Sequence, residues 1–276
     1  MRVAARILTV ADLAVVRELV AADPVCNVFV GSRVDAGVLN PTAPGVLWGW
    51  PAARPRALLH IGANMVPVAD TLEPIPAFVE AAGRRRTCQS IVGPSWLAEP
   101  LWRALCERWG HAYQAIREVR LHQPVMTMAK PPAGPIDSRV RPITRADFDS
   151  YLAASVAMYT EEVGSDPMAQ GSGYRSYCNW LVDSGRAFGI VHEGRVIFKT
   201  DVGAVSGPVA QIQGVWMAPE FRGRGLAAPA IAAVTEYVLA DYEIASLYVN
   251  DFNTRAIRAY ERVGYATVGE FATVLY

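Results

Sequence analysis

Hydrophobic positions along the chain recur with two different periods, and the places where the period changes outline a succession of helices and strands. In the first half the pattern predicts a helix over Ala11–Ala22, strands over Val46–Trp50 and Ala57–Met65, and a helix around Ile75–Gly83. A strand at Thr87–Val92, a helix at Glu99–Trp109 and an extended stretch at Ala112–Met128 follow. Leu101, Leu105 and Trp109 stand at near-helical spacing with Cys106 beside them, which marks core positions.

The second half is more regular. Asp147–Met158 and Tyr174–Asp183 read as helices, and Arg186–Glu193 and Arg195–Ala204 read as a hairpin turning at Glu193-Gly194. A strand at Gln211–Met217, a helix at Leu226–Leu239, a strand at Ile244–Asn250, a helix at Thr254–Arg262 and an extended Phe271–Leu275 complete it. This order describes an α/β or α+β sheet with helices packed on it, parallel where a helix separates consecutive strands.

Between the halves lies Lys130-Pro131-Pro132-Ala133-Gly134-Pro135, where successive prolines remove amide donors and force extended geometry. It sets expected domains at 1–130 and 139–276 with a linker at 131–138. Each half opens on the same pattern, R-x-x-T-x-A-D, at Arg6–Asp12 and again at Arg141–Asp147. Each copy reads as a short strand followed by a helix started by the Thr or the Asp three residues on. With the similar order of elements downstream, the echo points to a tandem duplication.

Charge narrows the function. Lys plus Arg and Asp plus Glu both number 26, a net charge of +0, so no global field draws the chain to nucleic acid or an anionic membrane. The N-terminus reaches Asp12 before any sustained apolar run, and no segment has the apolar length of a membrane span, so a cytoplasmic location is expected. Cys26, Cys88, Cys106 and Cys178 form no C-x-x-C pattern and the four histidines show no metal-ligand spacing, so neither a disulfide framework nor a metal is expected.

The chemistry concentrates between the Gln211–Met217 strand and the helix after it. Pro219 stops the strand, and Arg222-Gly223-Arg224-Gly225-Leu226-Ala227 leads into the helix. A helix start offers unpaired N–H groups to an anion, and Gly223 and Gly225 clear side chains from a close diphosphate and permit positive φ. Arg222 and Arg224 add charge at the rim. A solvent-exposed turn is the plain alternative, and two arginines make a poor RG tract for nucleic acid. The loop is neither a dinucleotide fingerprint nor a nucleotide P-loop. The first half carries no such glycine-rich loop; its strand-to-helix junction is taken as Gly93–Pro100, where prolines remove the amides an anion needs.

At these residues the sequence resembles the GCN5-related N-acetyltransferase (GNAT) superfamily. Arg222, Gly225 and Ala227 occupy the defined positions of its [QR]-x-x-G-x-[GA] signature, and Val215–Pro219 resembles its fourth strand. Asn253, Ala256, Tyr260, Gly264 and Tyr265 match N-x-x-A-x-x-x-Y-x-x-x-G-[FY]. The resemblance implies an acyl-CoA N-acyltransferase fold, the catalytic copy of a tandem whose N-terminal copy is degenerate or accessory. It implies acetyl-CoA or another acyl-CoA as co-substrate, without a metal. The loop amides from Gly223 through Ala227 would bind the diphosphate, with Val215, Trp216 and Met217 holding the pantetheine arm. Asn253 would cap its helix or touch the same arm, and Tyr260 would border the cofactor and protonate the departing thiolate.

The amine's proton acceptor is harder to place. Glu161 and Glu162 are expected in the loop after the first helix of this half, where the resemblance puts substrate-binding residues; a solvated turn is the alternative. Many family members place an acid on or beside the fourth strand, whereas this chain has Gln211 and Gln213 there. Cys178 has no neighbouring base in the sequence to make it a nucleophile. The expected activity is acyl transfer to a primary amine of a small molecule or peptide. A non-catalytic acyl-CoA sensor or protein-interaction module is the alternative. No nucleic-acid or membrane partner is expected; exposed sheet edges leave a homodimer open.

Overall fold

The computed structural model describes residues 4–169 and 171–276. Met1–Val3, the start of the N-terminal stretch read above, and Gln170 lie outside the described residues. The first run of elements is β1 (Arg6–Ile7), α1 (Leu13–Ala21), α2 (Val28–Asp35), β2 (Val46–Trp50), β3 (Ala57–Ile61), β4 (Asn64–Val68), α3 (Ile75–Ala82), β5 (Ser90–Pro94), α4 (Ser95–Trp109), α5 (His111–Gln114) and β6 (Glu118–Met128). Then come β7 (Arg141–Pro142), α6 (Phe148–Val163), α7 (Gly173–Asp183), β8 (Ala187–His192), β9 (Arg195–Ser206), β10 (Val209–Met217), α8 (Ala227–Asp241), β11 (Ile244–Tyr248), α9 (Thr254–Val263) and β12 (Ala266–Leu275).

The chain forms two compact units. One takes the polypeptide through Val125 with Tyr248–Phe252 and Val268–Tyr276; the other takes Met126–Leu247 and Asn253–Thr267. In the first, β1 to β4 are successive antiparallel neighbours, β4 and β5 run parallel, and Phe271–Leu275 of β12 pairs antiparallel with β5. In the second, β7 to β10 are antiparallel neighbours and β10 runs parallel to β11. Each unit therefore repeats one five-strand order. A helix, α3 or α8, supplies the crossover that a parallel pair needs.

The repeated R-x-x-T-x-A-D segments fold alike. The Arg6 guanidinium donates to both Asp12 carboxylate oxygens at 2.9 and 2.6 Å, and Arg141 does the same to Asp147 at 2.8 and 2.9 Å. In each, the Thr amide donates back to the Asp, at 2.9 Å in the first and 3.0 Å in the second, closing a 3₁₀ turn ahead of α1 or α6. The paired arginine holds the Asp12 carboxyl at about 2 and pushes Asp147 down likewise.

Period-two burial explains the apolar strands. Leu58 and Leu59 are adjacent on β3 and point to opposite faces, so each joins a different core: Leu58 that of Val16, Val30, Leu47 and Val66, and Leu59 that of Met65, Phe78, Ile91 and Leu101. A strand covered on both faces reads as a continuous apolar run, which is why Ala57–Met65 reads as one strand. The structure divides it into β3 and β4 at Gly62-Ala63, where Gly62 N–H donates to Asn64 O at 3.2 Å. Helix α2 has no counterpart in the sequence reading. Helix α6 runs past Met158 to Val163 and stops at Gly164, in the left-handed conformation at φ 75°.

His60 is buried on β3, with Nδ1 3.0 Å from Asn64 O and Nε2 lacking a partner among the described residues. Burial lowers its pKa from 6.5 to about 4. The folded value lies below the unfolded one, so its contribution is complete above pH 6.5 and is lost as pH falls toward 4. The difference corresponds to about 3 kcal/mol. Denaturant unfolding of wild type and His60→Leu across that range is expected to show a pH-dependent stability difference; a constant difference would contradict the buried neutral ring.

Candidate active site

The site lies in the second unit and begins with β10. Its pairing with β9 spans the strand, but its pairing with β11 covers only Val209–Gln211, leaving the edge beyond unclaimed by that neighbour. Between Gln213 and Trp216 the strand has one residue more than the facing Asp201-to-Lys199 stretch, a bulge at Gly214-Val215. Gly214 has φ 60°, and a Cβ there would lie 3.0 Å from Lys199 Nζ and 3.1 Å from Asp201 Oδ2. Both the backbone conformation and the space require glycine.

Beneath the bulge is a buried polar group. Lys199 Nζ donates to Asp201 Oδ2, and Tyr151 Oη, from α6, donates to Asp201 Oδ1 at 2.6 Å. Burial and the Asp201 charge push the Tyr151 phenol upward, so it remains a donor. Gln213, beside the bulge, donates its amide to Tyr177 Oη at 2.6 Å. Cys178 is buried and its thiol is pushed up to about 11, chiefly by burial, so it is protonated at neutral pH.

After β10, Pro219–Phe221 makes a 3₁₀ turn, and Gly223 and Gly225 follow at φ 72° and 75°. Helix α8 starts at Ala227, one residue after Leu226, where the sequence places the start. Among the described residues no amide from Gly223 through Ala228 donates to a backbone carbonyl; the first to do so is Ala230, to Leu226 at 3.3 Å. These orphan donors sit at the positive end of a helix.

The side chains around the loop interlock. Arg222 Nε donates to Met217 O at 2.7 Å and its Nη2 to Glu161 Oε2 at 2.7 Å, while Trp216 Nε1 donates to Glu161 Oε1 at 3.1 Å. Arg222 thus clamps the loop to the end of β10 and to α6. The sequence reading put Glu161 and Glu162 in a loop; they occupy the last turn of α6. Arg224 lies over the Phe221 ring, 5.4 Å from its centroid.

Helix α9 forms the facing wall. Asn253 caps it, its Oδ1 accepting from Ala256 N at 3.2 Å. Gly264 ends it at φ 115°, and Tyr265 Oη and Thr235 Oγ1, 2.9 Å apart, tie it to α8. Tyr260 is buried. Burial first, then the neighbouring Tyr265 and the Glu162 carboxylate, raise its pKa above the ordinary tyrosine range. The phenol therefore keeps its proton at neutral pH, and Glu162 is within its electrostatic reach.

A cavity of about 740 Å³ opens among these elements. The predicted Glu161, Val215, Trp216, Met217, Arg222, Gly223, Gly225, Leu226, Ala227, Asn253 and Tyr260 all line it, whereas Arg224 and Glu162 do not. Sequence reasoning missed Arg255, Arg258 and Arg262, which also line it. It missed Lys199 and Asp201 as well; two charges inside the apolar run of β9 were the available signal. Among the described residues no group of three or more His, Cys, Asp or Glu is gathered for a metal. Among the same residues no helix is long and apolar enough to cross a membrane.

The first unit differs where the loop would be. The segment equivalent by topology joins β4 to α3, Ala69-Asp70-Thr71-Leu72-Glu73-Pro74, rather than the Gly93–Pro100 junction taken from the sequence, which spans the end of β5 and the start of α4. It has no glycine, and it carries two acids.

This architecture is the acyl-CoA N-acyltransferase fold. Residues 149–265 match the Acetyltransferase (GNAT) family, and residues 45–151 match a domain of unknown function (DUF4081). The chain is similar over 98% of its length to a GCN5-related N-acetyltransferase from Sphaerobacter thermophilus, covering 94% of it at 15% identity and TM-score 0.63. It is similar over 99% of both chains to a GNAT-family acetyltransferase from Colwellia psychrerythraea, at 13% identity and TM-score 0.58. A tandem GNAT protein from the clavulanic acid biosynthesis pathway aligns over 98% of both chains at 17% identity and TM-score 0.58. No curated protein matches the chain.

Proposed function

We propose that the second half of the chain, with domain limits at 139–276 after a linker at 131–138, transfers an acetyl or related acyl group from acyl-coenzyme A to a primary amine of a small molecule or peptide. The observation that carries this reading is the run of amides from Gly223 to Ala228 with no backbone acceptor among the described residues, beside the cavity that also holds Tyr260 and the edge of β10 not taken by β11. Such a run suits a diphosphate, and an unpaired strand edge suits the amide-bearing arm of coenzyme A. The first half, without that loop, serves as an accessory or degenerate copy.

Bound acyl-coenzyme A supplies an activated thioester. The chain's own groups do the rest. The bulge at Gly214-Val215 turns backbone toward the cavity, where an amide can hold the acyl oxygen as charge develops on it. The amine forms the new C–N bond as the C–S bond breaks. We assign the amine's proton, through water, to Glu162, the exposed carboxylate felt by Tyr260. Glu161, engaged by Arg222 and Trp216, holds the loop in place. Tyr260 gives its phenolic proton to the departing sulfur and recovers it from solvent.

Acetyl-CoA and a panel of primary amines are expected to give saturable coenzyme binding and amine-dependent release of free thiol. Tyr260→Phe is expected to lower turnover by about 10-fold or more with little change in coenzyme affinity. Unchanged turnover would remove Tyr260 as the acid. Binding without turnover across the panel would favour a sensor.

A further inference from the structure

We infer that Arg255, Arg258 and Arg262 of α9 form a second anion site in this cavity, which takes the ribose 3′-phosphate of coenzyme A. The inference rests on the cofactor reading above. At about 100° per residue the three side chains leave α9 within an arc of roughly 60°, along one edge of the face that carries Ala256, Ala259 and Tyr260. All six residues line the same cavity.

Among the described residues none of the three arginines has an ion-pair partner, whereas Arg6, Arg139, Arg141, Arg145 and Arg222 each hold a carboxylate. Arg255 and Arg258 are three residues apart, Arg258 and Arg262 four, the spacings at which like charges on a helix repel. Arg255 also lies in the first turn of α9, against the positive end of the helix dipole. The free helix thus bears an electrostatic cost that a multiply charged anion would relieve.

The loop before α8 already provides amides for one anionic group. The arginines stand on a different helix, so the cavity offers two separate anion-binding features. A ligand with a diphosphate and a distinct phosphate monoester matches both, and guanidinium groups bind a phosphate dianion through charge-assisted hydrogen bonds. The monoester, absent from 3′-dephospho-coenzyme A, is the group that isolates the arginine row.

Calorimetric titration of the full chain with coenzyme A and with 3′-dephospho-coenzyme A tests this. Wild type is expected to bind coenzyme A at least about tenfold more tightly. In Arg258→Gln/Arg262→Gln the two affinities should converge to within about twofold through loss for coenzyme A alone. The ligand-free variant should melt no lower than wild type, because a repulsion has been removed. Equal affinities in wild type, or proportional loss of both ligands in the variant, would overturn the assignment. Failure of wild type to bind either ligand would instead overturn the cofactor reading, and this site with it.

Discussion

Gly225→Val is expected to weaken coenzyme A binding by about tenfold or more. Gly225 sits at φ 75° with nothing within 4 Å of where a Cβ would go, so the free protein has room for the new side chain. The penalty is conformational: a β-branched residue in the left-handed region costs roughly 1–2 kcal/mol. Relaxing that strain turns the flanking amides away from their common direction, and about 1.4 kcal/mol of lost interaction is already tenfold in affinity. Gly185→Val separates strain from binding. Gly185 has φ 69°, equally open surroundings and no place on the cavity wall, so its variant should lose similar stability and keep its affinity. Adding Arg222→Glu to Gly225→Val should deepen the loss, since it breaks the clamp on Met217 O and sets a second carboxylate beside Glu161. Calorimetry showing wild-type affinity in a folded Gly225→Val protein would take the loop out of the binding site.

The legible parts of this molecule are those whose cause is local. Positive φ at Gly223 and Gly225, the Asn253 cap and the αL stop at Gly264 each follow from residue types within a few positions. The repeated arginine–aspartate turn is local too, which explains why seven residues sufficed to reveal it. What escaped the sequence depends on distant partners. Phe271–Leu275 reads as extended from its own residues, but nothing in it names β5 as its antiparallel neighbour. Glu161 and Glu162 read as loop because α6 loses its apolar period after Met158; the helix continues until Gly164 ends it, which carries Glu161 to Arg222 and Trp216. The Arg255, Arg258 and Arg262 row was visible as helical spacing, yet only the lack of ion-pair partners for it among the described residues gives it meaning.

Lys199→Met is expected to destabilise the protein by about 3–5 kcal/mol, because it leaves the buried Asp201 carboxylate without its cation. Lys199 and Asp201 are both shut off from solvent, and Tyr151 Oη is the other side-chain donor to that carboxylate, at 2.6 Å. Removing the second charge should reverse most of the damage: in Lys199→Met/Asp201→Leu no buried ion is left unpaired, and only the Tyr151 hydroxyl loses its acceptor, at about 1–3 kcal/mol. Adding Tyr151→Phe removes that cost as well. The triple variant is thus expected to unfold at a denaturant midpoint well above that of Lys199→Met. Turnover should not recover in parallel. The ammonium and carboxylate lie 3.0 and 3.1 Å from where a Cβ on Gly214 would stand, and a pair of flexible apolar chains cannot hold the bulge in the same register. A triple variant no more stable than Lys199→Met would show that packing volume, rather than charge pairing, governs this part of the core.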